Sequence, residues 1–184
     1  QKDVRVLDGG RVKWEKDGRA LTTAVPTFSA GNFVATKADK AIRATLINDV
    51  LPVAKKRVKA DLVDIRGADE FNGKIFAAPG FQELAVRAGH IPGAINVPWG
   101  ANVNADGTFK TVAELKKLYA DKGIDGKQNI ITYCRIGERS SLTWFVLSEI
   151  LGYNVKNYDG SWTEYGNSVG VPIVNNAGTI WGAA

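Results

Sequence analysis

The chain of 184 residues contains one cysteine, Cys134, one histidine, His90, and no methionine. A single cysteine excludes an internal disulfide and any metal site built from several thiolates. With only one histidine, a zinc site would need carboxylates for nearly every ligand, so none is expected. The start at Gln1, without methionine, suggests a processed or truncated product. No apolar run approaches the length of a membrane span, and no charged start followed by an apolar stretch and a cleavage site opens the chain. No membrane association is expected, and the cytoplasm is the expected location. The balance is 24 Lys and Arg against 19 Asp and Glu, net +5. The positive residues are scattered as Lys55, Lys56, Arg57, Lys116, Lys117 and singles, which reads as solvated helix faces and not as a nucleic-acid footprint.

Between Ala60 and Gly166 the pattern alternates between strand and helix. "ADLVDIRG" (60–67), "AINVPWG" (94–100), "NIITYC" (129–134) and "NVKNYDG" (154–160) are short β-branched or apolar runs closed by turn residues. "TVAELKKLYADKGI" (111–124) has helical apolar spacing with Gly123 as its stop, and "ERSSLTWFVLSEILG" (138–152) is a helix apolar on most of its surface. "NIITYC" is a continuous apolar run of the kind buried on both faces of a parallel sheet. The expected fold class is α/β, a mainly parallel central sheet covered by helices in three layers.

The N-terminal stretch does not fit this rhythm. "VRVLDGGRVKW" (Val4 to Trp14) aligns without gaps on "VKNYDGSWTEY" (Val155 to Tyr165), with Val, Asp and Gly shared. Each copy has the character of a domain's last strand and turn. Residues 1–19 are therefore expected to be the tail of a preceding related domain, 20–37 an interdomain linker rich in Thr, Ala, Ser, Gly and Pro, and 38–184 the main domain. The alternative is that Gln1 to Arg19 forms an N-terminal strand of a single domain.

The chemistry concentrates in "TYCRIGERSS" (Thr132 to Ser141), where Cys134 ends a buried strand and a helix follows. That is where open α/β sheets bind ligands. A concave loop over Arg135, Ile136, Gly137, Glu138, Arg139 and Ser140 would turn successive backbone N–H groups inward, and the following helix adds its positive end. Together with Arg135 and Arg139 these groups favour thiolate over thiol and aim a nucleophile at an anionic substrate. Gly137 supplies a residue that tolerates positive φ. A Cys-x5-Arg loop is the phosphatase signature, whereas here Arg139 follows Cys134 with one residue fewer between them. The tighter loop suits one extra sulfur on the cysteine better than a tetrahedral phosphoryl group.

At this point the chain resembles the tandem-domain rhodaneses, the thiosulfate:cyanide sulfurtransferases. "LVDIRG" (62–67), "AGHIPGAINVPW" (88–99), "YCRIGERSS" (133–141) and "NYDGSWTEYGN" (157–167) carry the resemblance, which covers about Phe33 to Pro172. The resemblance implies the rhodanese-like fold, with residues 38–184 as the catalytic domain and residues 1–19 as the end of an inactive first domain that packs near the active site. It implies transfer of sulfane sulfur from thiosulfate to a thiophilic acceptor, cyanide or a thiol, through a Cys134 persulfide, with no cofactor. Arg66 and Arg139 become candidates for binding the sulfonate oxygens, since a guanidinium bonds such groups in two-pronged fashion. Asp64 is expected to pair with Arg135 and support the loop, and Trp162 to line the pocket mouth or else simply to pack. His90 reads as structural, because a thiolate attacking sulfur needs no base, and Trp99, Trp144 and Phe145 read as core.

Well-studied thiosulfate enzymes carry a lysine at the third loop position, where this chain has Ile136. Mercaptopyruvate enzymes have small residues at the second and third positions, which the bulky Arg135 opposes. A 3-mercaptopyruvate sulfurtransferase, a cysteine-based phosphatase or arsenate reductase on the same scaffold, and a sulfur-carrier module acting through a protein partner are the alternatives.

Overall fold

In the computed structural model the described residues are 4–35, 37, 40–82 and 84–180. The expected tail and main domain thus each include a few residues outside the described set, and the expected linker one, residue 36. A seven-residue helix, α1 (Gly10–Lys16), precedes the sheet and buries none of its residues. Five strands follow, β1 (Arg43–Ala44), β2 (Asp61–Asp64), β3 (Ile95–Asn96), β4 (Ile130–Tyr133) and β5 (Val155–Tyr158). They lie in the order β1-β5-β4-β2-β3, and every pairing is parallel. Parallel neighbours require crossovers, and helices supply them. These are α2 (Leu51–Ala54) after a wide π turn, α3 (Ala68–Phe71), α4 (Val112–Ala120), α5 (Glu138–Phe145) and α6 (Ser161–Asn167).

The alternation of side chains along the strands divides the core in two. Leu62, Ile131, Tyr133 and Tyr158 pack on one face with Val50 and Ala54 of the α2 segment and with Trp162 and Tyr165 of α6. Val63, Ile130, Cys134 and Val155 pack on the other with Leu115 and Tyr119 of α4 and with Val146 and Leu147 beyond α5. Successive residues of a strand point to opposite faces, so this split is the three-layer α/β arrangement expected from the sequence. β2 and β4, both buried on both faces, form its centre, with Asp64 opposite Tyr133 at their carboxyl ends.

Local chemistry explains the boundaries. Thr111 caps α4 by accepting from the Glu114 N–H, while the Glu114 carboxylate accepts from the Thr111 N–H at 2.9 Å, a reciprocal capping box. After α5 the helix widens into a π turn over Val146–Ile150 and stops before Gly152, which has φ 73°. Trp99, expected in the core, is 41% exposed because it opens a 3₁₀ turn at the rim of the sheet.

The aligned segments at the two ends correspond in their helices but not before them: β5 has no strand counterpart at residues 4–7, and Gly9 has φ 83° where the aligned Gly160 has φ −60°. α1 and α6 are both seven residues long and start at the aligned positions Gly10 and Ser161, which have φ 53° and 49°. The N-terminal segment touches the main body through Asp8, whose Oδ1 accepts from the Phe109 N–H at 2.9 Å, and Lys16, which donates to the Ala105 carbonyl at 2.7 Å.

Candidate active site

β2 leads outward to β3 at one edge, and β4 leads to β5 on the other side. The sheet order therefore reverses between β2 and β4, and ligands of open α/β sheets bind at such a reversal, outside the carboxyl ends. Cys134 is the first residue beyond β4 and is fully buried. Its backbone is clamped from both sides. Its N–H donates to Ser161 Oγ at 3.1 Å, and its carbonyl accepts from the Trp162 N–H at 3.0 Å. The Arg135 carbonyl in turn accepts from the Thr163 N–H at 2.9 Å, so the first turn of α6 holds the entry to the loop.

Gly137 reverses the loop into α5 with φ 82°. A Cβ there would stand 2.6 Å from the Asp159 Cα, so both the backbone angle and the space require glycine. The Gly137 carbonyl accepts from Ser140 Oγ at 3.1 Å and from Asn157 Nδ2 at 3.2 Å, pinning the turn to the end of β5. Among the described residues, none of the backbone N–H groups of Arg135, Ile136, Gly137, Glu138, Arg139 and Ser140 donates to a protein acceptor. Six adjacent donors without a protein acceptor, entering a helix through a left-handed residue, are available to an anion.

Arg139, in the first turn of α5, crosses to α3. Its two terminal nitrogens donate to the two carboxylate oxygens of Glu70 at 3.2 and 3.1 Å. Glu70 is buried and also accepts from the Gly67 N–H at 3.0 Å. Burial opposes the Arg139 charge, but the hydrogen bonds and charge of Glu70, with a further contribution from Cys134, raise its proton affinity above the ordinary arginine range. A cavity of about 120 Å³ opens between these elements, lined by Cys134, Arg135, Ile136, Glu138 and Arg139 from the loop and by Glu70, Ala77, Ala78 and Phe81 from the segment after β2. At ~30 Å³ per water, that holds roughly four water-sized groups, the scale of a small oxyanion.

Cys134, Arg135, Ile136, Glu138 and Arg139 line one cavity, Gly137 and Ser140 do not, and the supporting residues fall elsewhere. Arg66 does not line the cavity. It is buried against Asp64, with Nη2 at 2.7 Å from Oδ2 and Nε at 3.1 Å from Oδ1, and it donates to the Gly89 carbonyl at 2.7 Å. A guanidinium this deep requires a charge partner within reach, and Asp64, two residues earlier on the same strand end, supplies it. Burial opposes the charge on Arg66, and Asp64 more than restores it. The expected Asp64–Arg135 pair is therefore not formed. Arg135 donates to the Gln82 carbonyl at 2.7 Å and lies over the Phe81 ring at 5.6 Å. Trp162 packs beneath the site and not at its mouth: it is fully buried, stacks under Arg66 at 4.6 Å and donates to the Arg87 carbonyl at 2.9 Å. His90 lies off the cavity, stacked on Phe71 at 3.7 Å.

Glu70, Phe81 and Ser161 are site residues that the sequence does not single out. Glu70 reads as an ordinary acidic residue in a first helical turn, and only Ser161, inside the "DGSW" turn of the repeated segment, carries a signal.

The Rhodanese-like domain family matches residues 51–168, and the chain belongs to that family. It is 56% identical over 175 residues to a Saccharopolyspora erythraea protein named "Putative thiosulfate sulfurtransferase", covering 94% of this chain and 61% of that protein. It is 53% identical over 176 residues to "Sulfur carrier protein TtuD" of Thermus thermophilus, covering 94% of this chain and 61% of that protein. The chain thus spans under two thirds of the length of these relatives. Among solved structures, the anaerobic ergothioneine biosynthesis enzyme of Chlorobium limicola with trimethyl histidine superposes with a TM-score of 0.77 at 28% identity, covering 95% of this chain and 42% of that one. A structure of EanB as a cysteine persulfide with ergothioneine gives 0.78, also at 28% identity, with the same two coverages. Two of these relatives are named for sulfur transfer or sulfur carriage.

Proposed function

We propose that this chain moves sulfane sulfur from thiosulfate to a thiophilic acceptor, cyanide or a thiol, through a persulfide on Cys134. The observation that carries this reading is the position of Cys134 in the lining of a small cavity, at the start of a loop whose next six backbone N–H groups have no protein acceptor. The thiolate attacks the outer sulfur of thiosulfate. A bond forms from Sγ to that sulfur, the sulfur–sulfur bond of the donor breaks, and its electron pair leaves with sulfite. The acceptor then attacks the outer sulfur, and the electron pair returns to Sγ. No proton has to be removed in either step, which fits the absence of a histidine from the cavity lining. The loop N–H groups would hold the persulfide charge, because preorganised donors in a dry site stabilise an anion without reorganising. The persulfide form of EanB, similar in fold over this chain, supports the intermediate.

The bidentate pairing of Arg139 with Glu70 gives Arg139 a fixed orientation, and its remaining N–H groups are its means of touching the donor. Asp64, Arg66 and Trp162 act from behind, bracing the ends of β2 and β4 against α6. The matching conformations at Gly10 and Ser161 support residues 1–19 as the tail of a related preceding domain, joined by 20–37 to the catalytic domain. We place the reaction in the cytoplasm, where a lone thiol stays reduced.

A second reading, delivery of sulfur to a protein acceptor, is favoured by the apolar residues of the cavity lining that face solvent, Phe81 and Ile136, 64% and 44% exposed. The deciding experiment is intact-protein mass spectrometry after incubation with thiosulfate. The wild-type chain should gain the mass of one sulfur atom, removable by cyanide, and Cys134→Ala should gain none. An unchanged mass in both would refute the mechanism, and release of phosphate from p-nitrophenyl phosphate without sulfur loading would replace it.

A further inference from the structure

We propose that Glu70 is a specificity-determining residue that tunes this cavity toward monoanionic organic sulfur donors, R–SO₂–S⁻ or R–S–S⁻, over the thiosulfate dianion. The inference rests on the sulfur-transfer reading and refines its donor.

Charge comes first. The charged residues lining the cavity are Glu70, Glu138, Arg135 and Arg139, two of each sign. Neither guanidinium is unengaged. Arg139 has both terminal nitrogens on the Glu70 carboxylate. Arg135 donates to the Gln82 carbonyl and stacks on Phe81. Ile136 occupies the remaining loop position at the cavity and carries no charge. A dianion gains twice what a monoanion gains from an uncompensated cation, but it also loses more hydration on entry. With Arg139 neutralised by a carboxylate that is itself 2% exposed, the first advantage shrinks while the second cost stays.

Shape points the same way. Outside the loop the apolar lining is Ala77, Ala78 and Phe81, and the loop adds Ile136. The cavity accepts the sulfur end of a donor, while Phe81 and Ile136, 64% and 44% exposed, offer apolar surface at the mouth for its organic body. Thiosulfate has no such body and gains nothing there.

The chemical step is unchanged in kind. Cys134 Sγ⁻ attacks the terminal sulfur of R–SO₂–S⁻, the bond from that sulfur to the sulfonyl group breaks, and the electron pair leaves as the sulfinate R–SO₂⁻. The enzyme keeps Cys134–S–S⁻, and no outside oxidant, reductant or proton enters.

The test compares benzenethiosulfonate with thiosulfate as donors, with cyanide as common acceptor and thiocyanate as the readout. The wild-type chain should show a kcat/KM at least about tenfold higher for benzenethiosulfonate. Glu70→Gln keeps an oxygen that can accept from the Gly67 N–H but releases the charge of Arg139, so the preference should fall by about tenfold, chiefly through a lower KM for thiosulfate. Phe81→Ser should also reduce the preference, through a higher KM for benzenethiosulfonate. Phe81 is exposed, so this variant tests the apolar mouth whether or not Glu70→Gln folds, and Glu70→Asp, which keeps the buried charge but shortens its reach to Arg139, tests Glu70 by the same donor ratio. A wild-type preference for thiosulfate, or a ratio unmoved in the folded variants, would overturn the role of Glu70 and the apolar mouth while leaving the persulfide mechanism standing. Failure of both donors to load Cys134 would instead sink the sulfur-transfer reading.

Discussion

Gly137 joins two requirements that are usually separate, a backbone angle of φ 82° and a Cβ position already occupied by Asp159. Gly137→Ala must therefore both strain the turn and push the loop away from β5. The expected result is a loss of about 1–3 kcal/mol in stability by urea unfolding, with the m-value unchanged, and a larger fall in sulfur-transfer rate than the stability loss accounts for. A stability loss with wild-type kcat/KM would show that the loop's shape is not critical to the reaction. The Asp64–Arg66 pair behaves differently, because both side chains are buried, at 0% and 1% exposure. Removing one charge leaves the other without compensation, so Asp64→Asn should cost about 3–5 kcal/mol and lower the thermal midpoint. The sign is fixed by burial: an exposed pair such as Lys117–Asp121 would show almost nothing in the same experiment.

Among the elements, α4 gives a control. Its capping box lies at its first turn, away from the cavity lining, and Thr111→Ala removes the acceptor for the Glu114 N–H. The expected loss is about 1 kcal/mol in urea unfolding with kcat/KM unchanged; a changed rate would mean that α4 is coupled to the loop. The same element shows what the sequence makes legible. α4 and α5 announce themselves through apolar spacing and stop at or before glycines, and β2, β4 and β5 through short apolar runs bounded by turn residues. β1 does not, because two residues, Arg43 and Ala44, carry no periodicity and pair only once β5 is in place. The site divides in the same way. Cys134 to Ser140 is contiguous, and its glycine and arginines can be read directly. Glu70 and Phe81 reach it from the segment after β2 because the sheet order places β2 beside β4, and no local pattern encodes that meeting. Arg66 misleads for a related reason: its fate depends on Asp64 turning inward beside it, which burial decides and spacing does not.

In the molecule as a whole, the energy of folding is concentrated in the two cores on either side of the sheet, and the N-terminal segment lies outside both. α1 buries no residue, and residues 18–35 are exposed throughout. Polar contacts help tie the segment down, among them those from Phe109 to Asp8 and from Lys16 to the Ala105 carbonyl. Exposed contacts of this kind contribute little, so the segment should open locally far more often than the sheet does. Trypsin at low concentration is expected to cut first at Arg19, Lys37 and Lys40, which are exposed, and to leave a fragment that begins just before β1. That fragment retains every strand of the sheet and every residue lining the cavity. It should therefore unfold cooperatively within a few degrees of the intact chain, and still gain one sulfur from thiosulfate by mass spectrometry. Early cleavage between β2 and β5, or a fragment that no longer loads sulfur, would show that the N-terminal segment supports the site and does not merely lie against it.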